Sequence, residues 1–174
     1  MNGMRSHGGG GEGGEAPCFA HLLDEPERVT DTELGGLVRE LADAVVIADA
    51  DGTIVFWNDA AERVFGWSGD EAIGQSLDLI IPERQRGRHW TGYQQTMATG
   101  ETKYGDQLLE VPALRRDGRP LSIAFTVTLL RRSGEPLPYA IAAVLRDDTE
   151  RWQERKQLRD EVAVLRAHLD PRSG

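Results

Sequence analysis

Cysteine is almost absent from this chain of 174 residues, which contains only Cys18. A single cysteine cannot form an internal disulfide and cannot build a metal site from several cysteines. Apolar runs are also short, and none approaches the roughly 20 residues that a membrane-spanning helix needs. The N-terminus is rich in glycine, unlike the apolar stretch of a signal sequence. We therefore expect a cytoplasmic protein without a membrane partner.

Basic residues are fewer than acidic residues in this chain. The chain has 20 Lys and Arg residues against 29 Asp and Glu residues, and its formal net charge is −9. Contacts with phosphates need a basic surface, so this balance disfavours a nucleic-acid partner. Arginines do cluster within 84–88 and 115–119, and we interpret both clusters as solvated surface.

The sequence also lacks a recognisable catalytic arrangement. Ser68 lies in GWSGD, which does not have the glycine spacing of a nucleophile elbow. Asp49 and Asp51 flank a turn and lack the continuation of a calcium-binding loop. Turn formation explains these two carboxylates better. We therefore expect a protein that is not an enzyme.

The most informative stretch runs from Asp49 to Gly74, DADGTIVFWNDAAERVFGWSGDEAIG. Apolar runs on both sides of Asp51-Gly52 predict two strands joined by a two-residue hairpin loop, in which glycine supplies the positive φ. Asn58 is placed to cap a following helix, and Gly66 to end it. Ser68 and Gly74 bound a second short helix in the same way.

This stretch resembles the first half of a PAS sensory domain. The shared positions fall in register over 24 residues: Asp51, Gly52, Ile54, Asn58, Ala60, Ala61, Glu62, Phe65, Gly66, Trp67, Glu71, Ile73 and Gly74. The rest of the chain is consistent with this resemblance. A helix is predicted over 83–99, with Trp90, Tyr93 and Met97 on one stripe, and three strands follow it. The clearest alternation of apolar and polar residues is at 121–129.

These patterns predict an α+β fold: a five-stranded antiparallel sheet with short helices and one long helix on one face, flanked by N-terminal and C-terminal helices. We expect a flexible glycine-rich tail over residues 1–28 and a flanking helix over 29–43. The PAS domain would occupy 44–148. A C-terminal signalling helix with coiled-coil character would occupy 149–174.

Both flanking helices carry apolar stripes. Thr30 and Glu33 form a capping-box pattern that starts the first helix, and its stripe is Leu34, Leu37 and Leu41. The second stripe is Leu158, Val162, Leu165 and Leu169, about two heptads of a coiled-coil seam. We expect a homodimer through these residues, and the sequence leaves room for a separate output protein. The alternative is that each helix covers its own domain.

The C-terminal helix follows Asp147-Asp148-Thr149. This segment resembles the Asp-x-Thr junction through which PAS domains pass strand movement to an exit helix. The middle residue is usually aliphatic in that family, and here it is Asp148.

His89 is the candidate metal ligand. It lies in a setting, Arg86, Arg88, His89 and Tyr93, that resembles the haem-ligating helix of bacterial oxygen-sensing PAS domains. The resemblance implies that His89 would bind the iron and that Lys103 could pair with a propionate. It also places Leu109 where those sensors have an oxygen-contacting arginine. We favour the alternative that His89 is a surface or packing residue.

Flavin is a weaker candidate than haem, because the photoreactive flavin-binding members of the family need a cysteine on a helix that has none here. The function that we expect is a non-catalytic sensory module. It would bind a ligand or cofactor in a cleft lined by His89, Tyr93, Leu109, Phe125, Val127 and Ile141. A haem-based gas sensor and a purely structural dimerisation module are the two alternatives.

Overall fold

The computed structural model describes residues 29–102 and 107–169. The glycine-rich tail, Cys18 and Lys103 lie outside these ranges, so the predictions made for them remain predictions. Within the described residues, no helix combines the length and apolar character needed to cross a bilayer. In these two ranges the α-helices are α1 (Asp31–Glu40), α2 (Asp59–Phe65), α3 (Gly69–Ala72), α4 (Glu83–Thr99) and α5 (Thr149–Leu169). A short 3-10 turn, Leu77–Leu79, precedes α4.

One five-stranded sheet forms the centre of the fold. Its strands are β1 (Ala44–Asp49), β2 (Ile54–Trp57), β3 (Leu109–Leu114), β4 (Pro120–Leu130) and β5 (Ala140–Asp147). They lie in the order β2-β1-β5-β4-β3, and every neighbouring pair is antiparallel. This confirms the predicted fold class. The last strand, β5, is therefore the central strand and lies between β1 and β4.

One face of the sheet carries the core. Alternate residues along a strand point to the same side, and the register places Leu121, Ile123 and Phe125 on the same side as Val46 and Leu145. These residues pack with Phe65 of α2 and with Ile54 and Trp57 of β2. The short helices and α4 therefore cover a single face of the sheet.

Asn58 explains how the strand pair connects to α2. Its side-chain oxygen accepts hydrogen bonds from Val45 N (2.9 Å) and Ala61 N (3.0 Å), and its amide nitrogen donates to Val38 O and Asp43 O. The predicted helix cap is confirmed. The side chain, 2% exposed, also ties α1, β1 and α2 together, which the sequence pattern did not reveal.

The hairpin between β1 and β2 differs from the prediction in length. Asp49 N donates to Thr53 O (2.9 Å) and Gly52 N donates to Asp49 O (3.0 Å), so the loop has three residues rather than two. Gly52 adopts a φ of 80°, as predicted. The Asp49 carboxylate accepts hydrogen bonds from the backbone of Asp51 and Thr53, and this extra closure accommodates the third residue.

Other boundaries agree closely with the sequence. Helix α4 spans the predicted residues and ends at Gly100, which has a φ of 68°. Three strands follow this helix, as predicted, and the last of them runs from Ala140 to Asp147. The Thr30–Glu33 capping box at the start of α1 is confirmed.

Candidate functional site

Helix α4 stands over the sheet and meets it mainly at one end. Tyr93 and Met97 are its buried residues, and they pack with Ala48 of β1 and Ile141 of β5. The Tyr93 hydroxyl donates to Asp49 O (2.6 Å) and lies 3.2 Å from Ala48 O. The C-terminal half of α4 is therefore anchored to the end of β1.

The N-terminal half of α4 is held by the segment that precedes it. Arg86 donates to Ile81 O (3.2 Å) and Asp78 O (3.0 Å), and Trp90 Nε1 donates to the Asp78 carboxylate (2.9 Å). The ring of Trp90 also lies against Gly52, where an added Cβ would come within 2.3 Å of the ring. Helix α4 is thus fixed at both ends to the β1–β2 side of the sheet.

The part of the sheet farther from these anchors presents apolar residues that are only half-buried. On β3, β4 and β5, the residues on the helix-covered side are Leu109, Val111, Phe125, Val127, Ile141 and Ala143. By contrast, Leu121 and Ile123, which lie on the same side of β4 but closer to α2, are each 4% exposed. The apolar side chains on this part of the sheet are therefore covered only in part by the described residues.

The structure places the sequence-predicted site residues on α4 and on the helix-covered side of the sheet. Tyr93 of α4 and Ile141 of β5 belong to one packed cluster. Phe125 and Val127 lie on β4, and Leu109 pairs with Phe125 across β3 and β4. Sequence reasoning missed Ala48 and Asp78, which position α4. The stripe of Trp90, Tyr93 and Met97 was visible in the sequence, but the partners of these residues were not.

His89 lies on the half-buried edge of α4. Its ring contacts Trp90 edge-on at 4.9 Å between centroids and lies 5.6 Å from Tyr93. Its Nδ1 atom is buried and has no hydrogen-bond partner among the described residues. Burial lowers the pKa of His89, although the nearby charge of Asp78 acts in the opposite direction. The imidazole is therefore neutral at pH 7 and has an unused nitrogen.

The charges around Tyr93 act on its hydroxyl. Burial first, and then the carboxylates of Asp49 and Asp51, raise the pKa of Tyr93. The hydroxyl therefore stays protonated and keeps donating to the backbone of β1. No cluster of three or more His, Cys, Asp or Glu side chains suited to a metal ion occurs in the part of the chain that the structure covers.

The exit from the sheet is built around the Asp147-Asp148-Thr149 junction. Thr149 Oγ1 accepts a hydrogen bond from Ser122 N (3.0 Å), and Asp148 N donates to Ser122 O (2.8 Å). These bonds join β4 to the first turn of α5. A shift of β4 would therefore move the start of α5.

Comparison with known proteins identifies the fold and its relatives. The family model described as the PAS fold matches residues 32–147. An uncharacterised protein of Azorhizobium caulinodans is 38% identical over 151 residues, covering 81% of this chain and 20% of its own length. The sensor protein FixL of Bradyrhizobium diazoefficiens is 31% identical over 133 residues, covering 76% of this chain and 26% of its own length.

Two further matches agree with this assignment. The oxygen sensor protein DosP of Escherichia coli is 26% identical over 134 residues, covering 77% of this chain and 16% of its own length. The crystal structure of a PAS domain from a Colwellia psychrerythraea protein superposes with a TM-score of 0.60 at 20% identity, covering 68% of this chain and 97% of that one. The chain spans about a quarter or less of the length of these curated relatives.

Proposed function

Because the chain belongs to the PAS family of sensory domains, we propose that it is a non-catalytic sensory module whose α4–sheet cleft binds a small ligand or cofactor. The observation that carries this proposal is the half-buried apolar wall of β3–β5. Burying apolar surface stabilises a protein by about 25 cal/mol per Å², so an incompletely covered wall inside a fold is a favourable place for an apolar ligand. On α4, the proposal assigns polar contact with the ligand to His89, whose Nδ1 atom has no hydrogen-bond partner among the described residues.

Native mass spectrometry of the purified full chain tests ligand binding directly. We expect the folded protein to carry a constant extra mass that is lost on denaturation. Val127→Trp should remove that mass, because the larger side chain fills the cleft from the sheet side. Thr128→Trp is the matched control, since Thr128 points to the opposite face. A bare wild-type mass, or an adduct retained by Val127→Trp, would contradict the proposal.

The second part of the proposal concerns output. The module would act as a homodimer in which α5 passes movement of β4 to the second subunit or to a protein partner. The stripes on α1 and α5 support this, because Leu34, Leu37, Leu158 and Leu165 are between 46% and 62% exposed. The rival interpretation, in which α5 rests on its own domain, would require these side chains to be covered.

Light scattering on the full chain at high micromolar concentration tests the dimer. We expect the mass of two chains for the wild type. The double variant Leu158→Glu with Leu165→Glu should be monomeric, because it places charge in an apolar seam. A monomeric wild type would contradict the dimer but not the ligand cleft.

A haem cofactor is the second candidate, and the state of His89 favours it. Haem iron is held by a neutral histidine in many proteins, and His89 has both a lowered pKa and a nitrogen without a hydrogen bond. His89 on α4 and the half-buried apolar residues of β3–β5 are the residues that would hold the haem. Bound haem would supply an iron that binds diatomic gases. His89 would hold it, while Val127 and Ile141 would exclude water.

Reconstitution with haem separates this candidate from a haem-free sensor. If His89 is the axial ligand, a sharp Soret band should form and His89→Ala should abolish or shift it. Leu109 offers no hydrogen-bond donor, so such a site should favour carbon monoxide over oxygen. A broad, weak band that is unchanged in His89→Ala would exclude haem ligation by this residue and leave the cleft to another ligand.

A further inference from the structure

The hairpin between β4 and β5 contacts the end of α4 through an arginine. Val127 and Leu129 lie on the helix-covered side of β4, and Arg131 follows at the same two-residue spacing, just past the end of the strand. The Arg131 guanidinium donates from Nη2 to Gly100 O (2.5 Å) and from Nε to Pro136 O (3.1 Å). Gly100 is the C-terminal cap of α4. Arg131 therefore connects the hairpin to the end of the helix.

The charge of Arg131 suits this position. The last carbonyl groups of a helix carry partial negative charge, which a nearby cation stabilises. Within residues 29–102 and 107–169, no ion pair joins Arg131 to a carboxylate. Its hydrogen bonds to Gly100 and Pro136 are made to backbone carbonyls. They therefore depend on how close the helix end and the hairpin lie, and not on the rotamer of another side chain.

The two backbones are in close contact at this point. A Cβ atom added to Gly100 would lie 3.2 Å from Pro136 O and 3.5 Å from both Arg131 Nη2 and Pro138 Cδ. Gly100 has a φ of 68°, so the chain leaves the helix directly against the hairpin. We call the contact of Arg131 with Gly100 and Pro136 the Arg131 clasp, and it is closed in this structure.

The Arg131 clasp lies beyond the buried part of α4. Met97 is the last buried residue of the helix, and Gly100 follows nearly one helical turn later. On the sheet, Leu129 and Ile141 are paired and half-buried. The clasp therefore runs from the end of the half-buried apolar row of β4 to the end of the helix that covers it.

We propose that the Arg131 clasp controls access to the proposed ligand cleft. It holds the C-terminal end of α4 against the β4–β5 hairpin and thereby limits how fast a ligand enters and leaves the space between α4 and β4–β5. The inference rests on the proposed ligand binding and adds the residue that sets its rate. Because Arg131 binds backbone carbonyls and not the ligand, its loss should raise the rates of entry and release by the same factor, and the affinity should stay the same.

Stopped-flow fluorescence with Nile red tests this proposal on the purified full chain. Nile red is an uncharged dye that becomes fluorescent in apolar surroundings, so removing the charge of Arg131 does not act on the dye directly. The part of the signal that Val127→Trp abolishes belongs to the cleft. In Arg131→Gln, we expect this part to bind and to dissociate several-fold faster than in the wild type, with an unchanged Kd.

Arg132→Gln is the matched control. The Arg132 guanidinium lies over the Tyr139 ring at 4.5 Å and 3.7 Å from the Glu135 carboxylate, both in the same hairpin. The variant removes the same charge and should leave both rates as in the wild type. Arg131→Lys should show intermediate rates, since an ammonium group can bind a carbonyl but lacks the planar fork of the guanidinium. This milder variant carries the same prediction if Arg131→Gln does not fold.

Unchanged rates in Arg131→Gln, or an equal acceleration in Arg132→Gln, would overturn the proposal. Faster release without faster binding would also overturn it, because a lower affinity would mean that Arg131 shapes the site and does not control access to it. Failure of the proposed ligand binding has a different signature. The wild type would then bind no dye, or Val127→Trp would bind it as the wild type does, and the inference on access would fall with it.

Discussion

Arg155 of α5 donates a hydrogen bond of 2.6 Å to the carboxylate of Asp148, which lies beneath the first turn of the same helix. The Asp148 side chain is 7% exposed. This position is usually aliphatic in the junction that the segment resembles. Here it is a buried carboxylate that pairs with Arg155, whose side chain is 43% exposed. The second arm of Arg155 reaches Glu110 on β3, so one side chain connects the exit helix to an edge strand.

This pair gives an ordering of stabilities that chemical denaturation can measure. Arg155→Leu should lower the stability, because it leaves a buried carboxylate without its main partner. Asp148→Ile should cost less, since an apolar residue replaces the charge and Arg155 keeps Glu110. In the Asp148→Ile background, Arg155→Leu should have a smaller effect than it has alone.

The matched control for this pair is Arg151→Leu. Arg151 lies 3.8 Å from Asp148 but is 79% exposed, so the variant should unfold close to the wild type. Equal losses of stability for Arg151→Leu and Arg155→Leu would mean that the short contact between Arg155 and Asp148 adds no stability of its own.

A second prediction concerns the contact between Gly52 and Trp90. Gly52→Ala combines two costs: a positive φ that L-residues disfavour by about 1–2 kcal/mol, and displacement of the Trp90 ring, for which overpacking costs of about 1–3 kcal/mol are typical. Gly118→Ala is the matched control, because Gly118 has a φ of 78° and no atom within 4 Å of an added Cβ.

Thermal unfolding should therefore show a larger decrease for Gly52→Ala than for Gly118→Ala, and Trp fluorescence should change only for Gly52→Ala. Gly52→Val, with a β-branched side chain, should be less stable still. Equal melting temperatures for the two alanine variants would show that displacing the Trp90 ring does not lower the stability.

Asn58 provides a third prediction. Asn58→Leu removes a side chain that serves two backbone donors and two carbonyls in a buried position. Unsatisfied buried groups cost about 1–3 kcal/mol each, and solvation of the loosened segment would offset part of this. We expect a loss of about 2–4 kcal/mol in the free energy of unfolding, measured in urea. Asn58→Ser, which retains the capability to cap a helix, should recover only a fraction of that loss, and full recovery would show that the contacts to α1 and β1 contribute little.

Stability should also depend on pH through His89. Its pKa is lowered in the folded state from the ordinary value of 6.5, so below that value the unfolded chain binds the proton more readily than the folded chain does. The contribution of neutral His89 is complete above pH 6.5 and is lost as the pH falls towards the folded pKa. Between about pH 7.5 and about pH 5.5, the wild type should lose more stability than His89→Gln. An equal or smaller loss would contradict the burial of the imidazole.

The fold was predictable because its signals are local. The caps at Thr30 and Asn58, the glycines after α2 and α4, and the alternation along β4 each act within a few residues. The contacts that define the site are not local. Trp90 contacts Gly52, Asp78 lies under α4, and Arg155 reaches Glu110. These contacts join separate segments of the chain, and no pattern in the sequence marks the residues as partners. The third residue of the β1–β2 loop was missed because it depends on two hydrogen bonds that the Asp49 carboxylate accepts from the backbone of Asp51 and Thr53.

In the proposed function, a change in the cleft reaches α5 through β4, and this is the central claim. Hydrogen exchange of the full chain, comparing the wild type with Val127→Trp, tests this claim most directly. The tryptophan occupies the cleft from the sheet side and stands in for a bound ligand. We predict altered exchange in β4 and, with it, in the first turns of α5 around Asp148 and Trp152, whereas α1 should be much less affected. Altered exchange in β4 with α5 unchanged would contradict the claim.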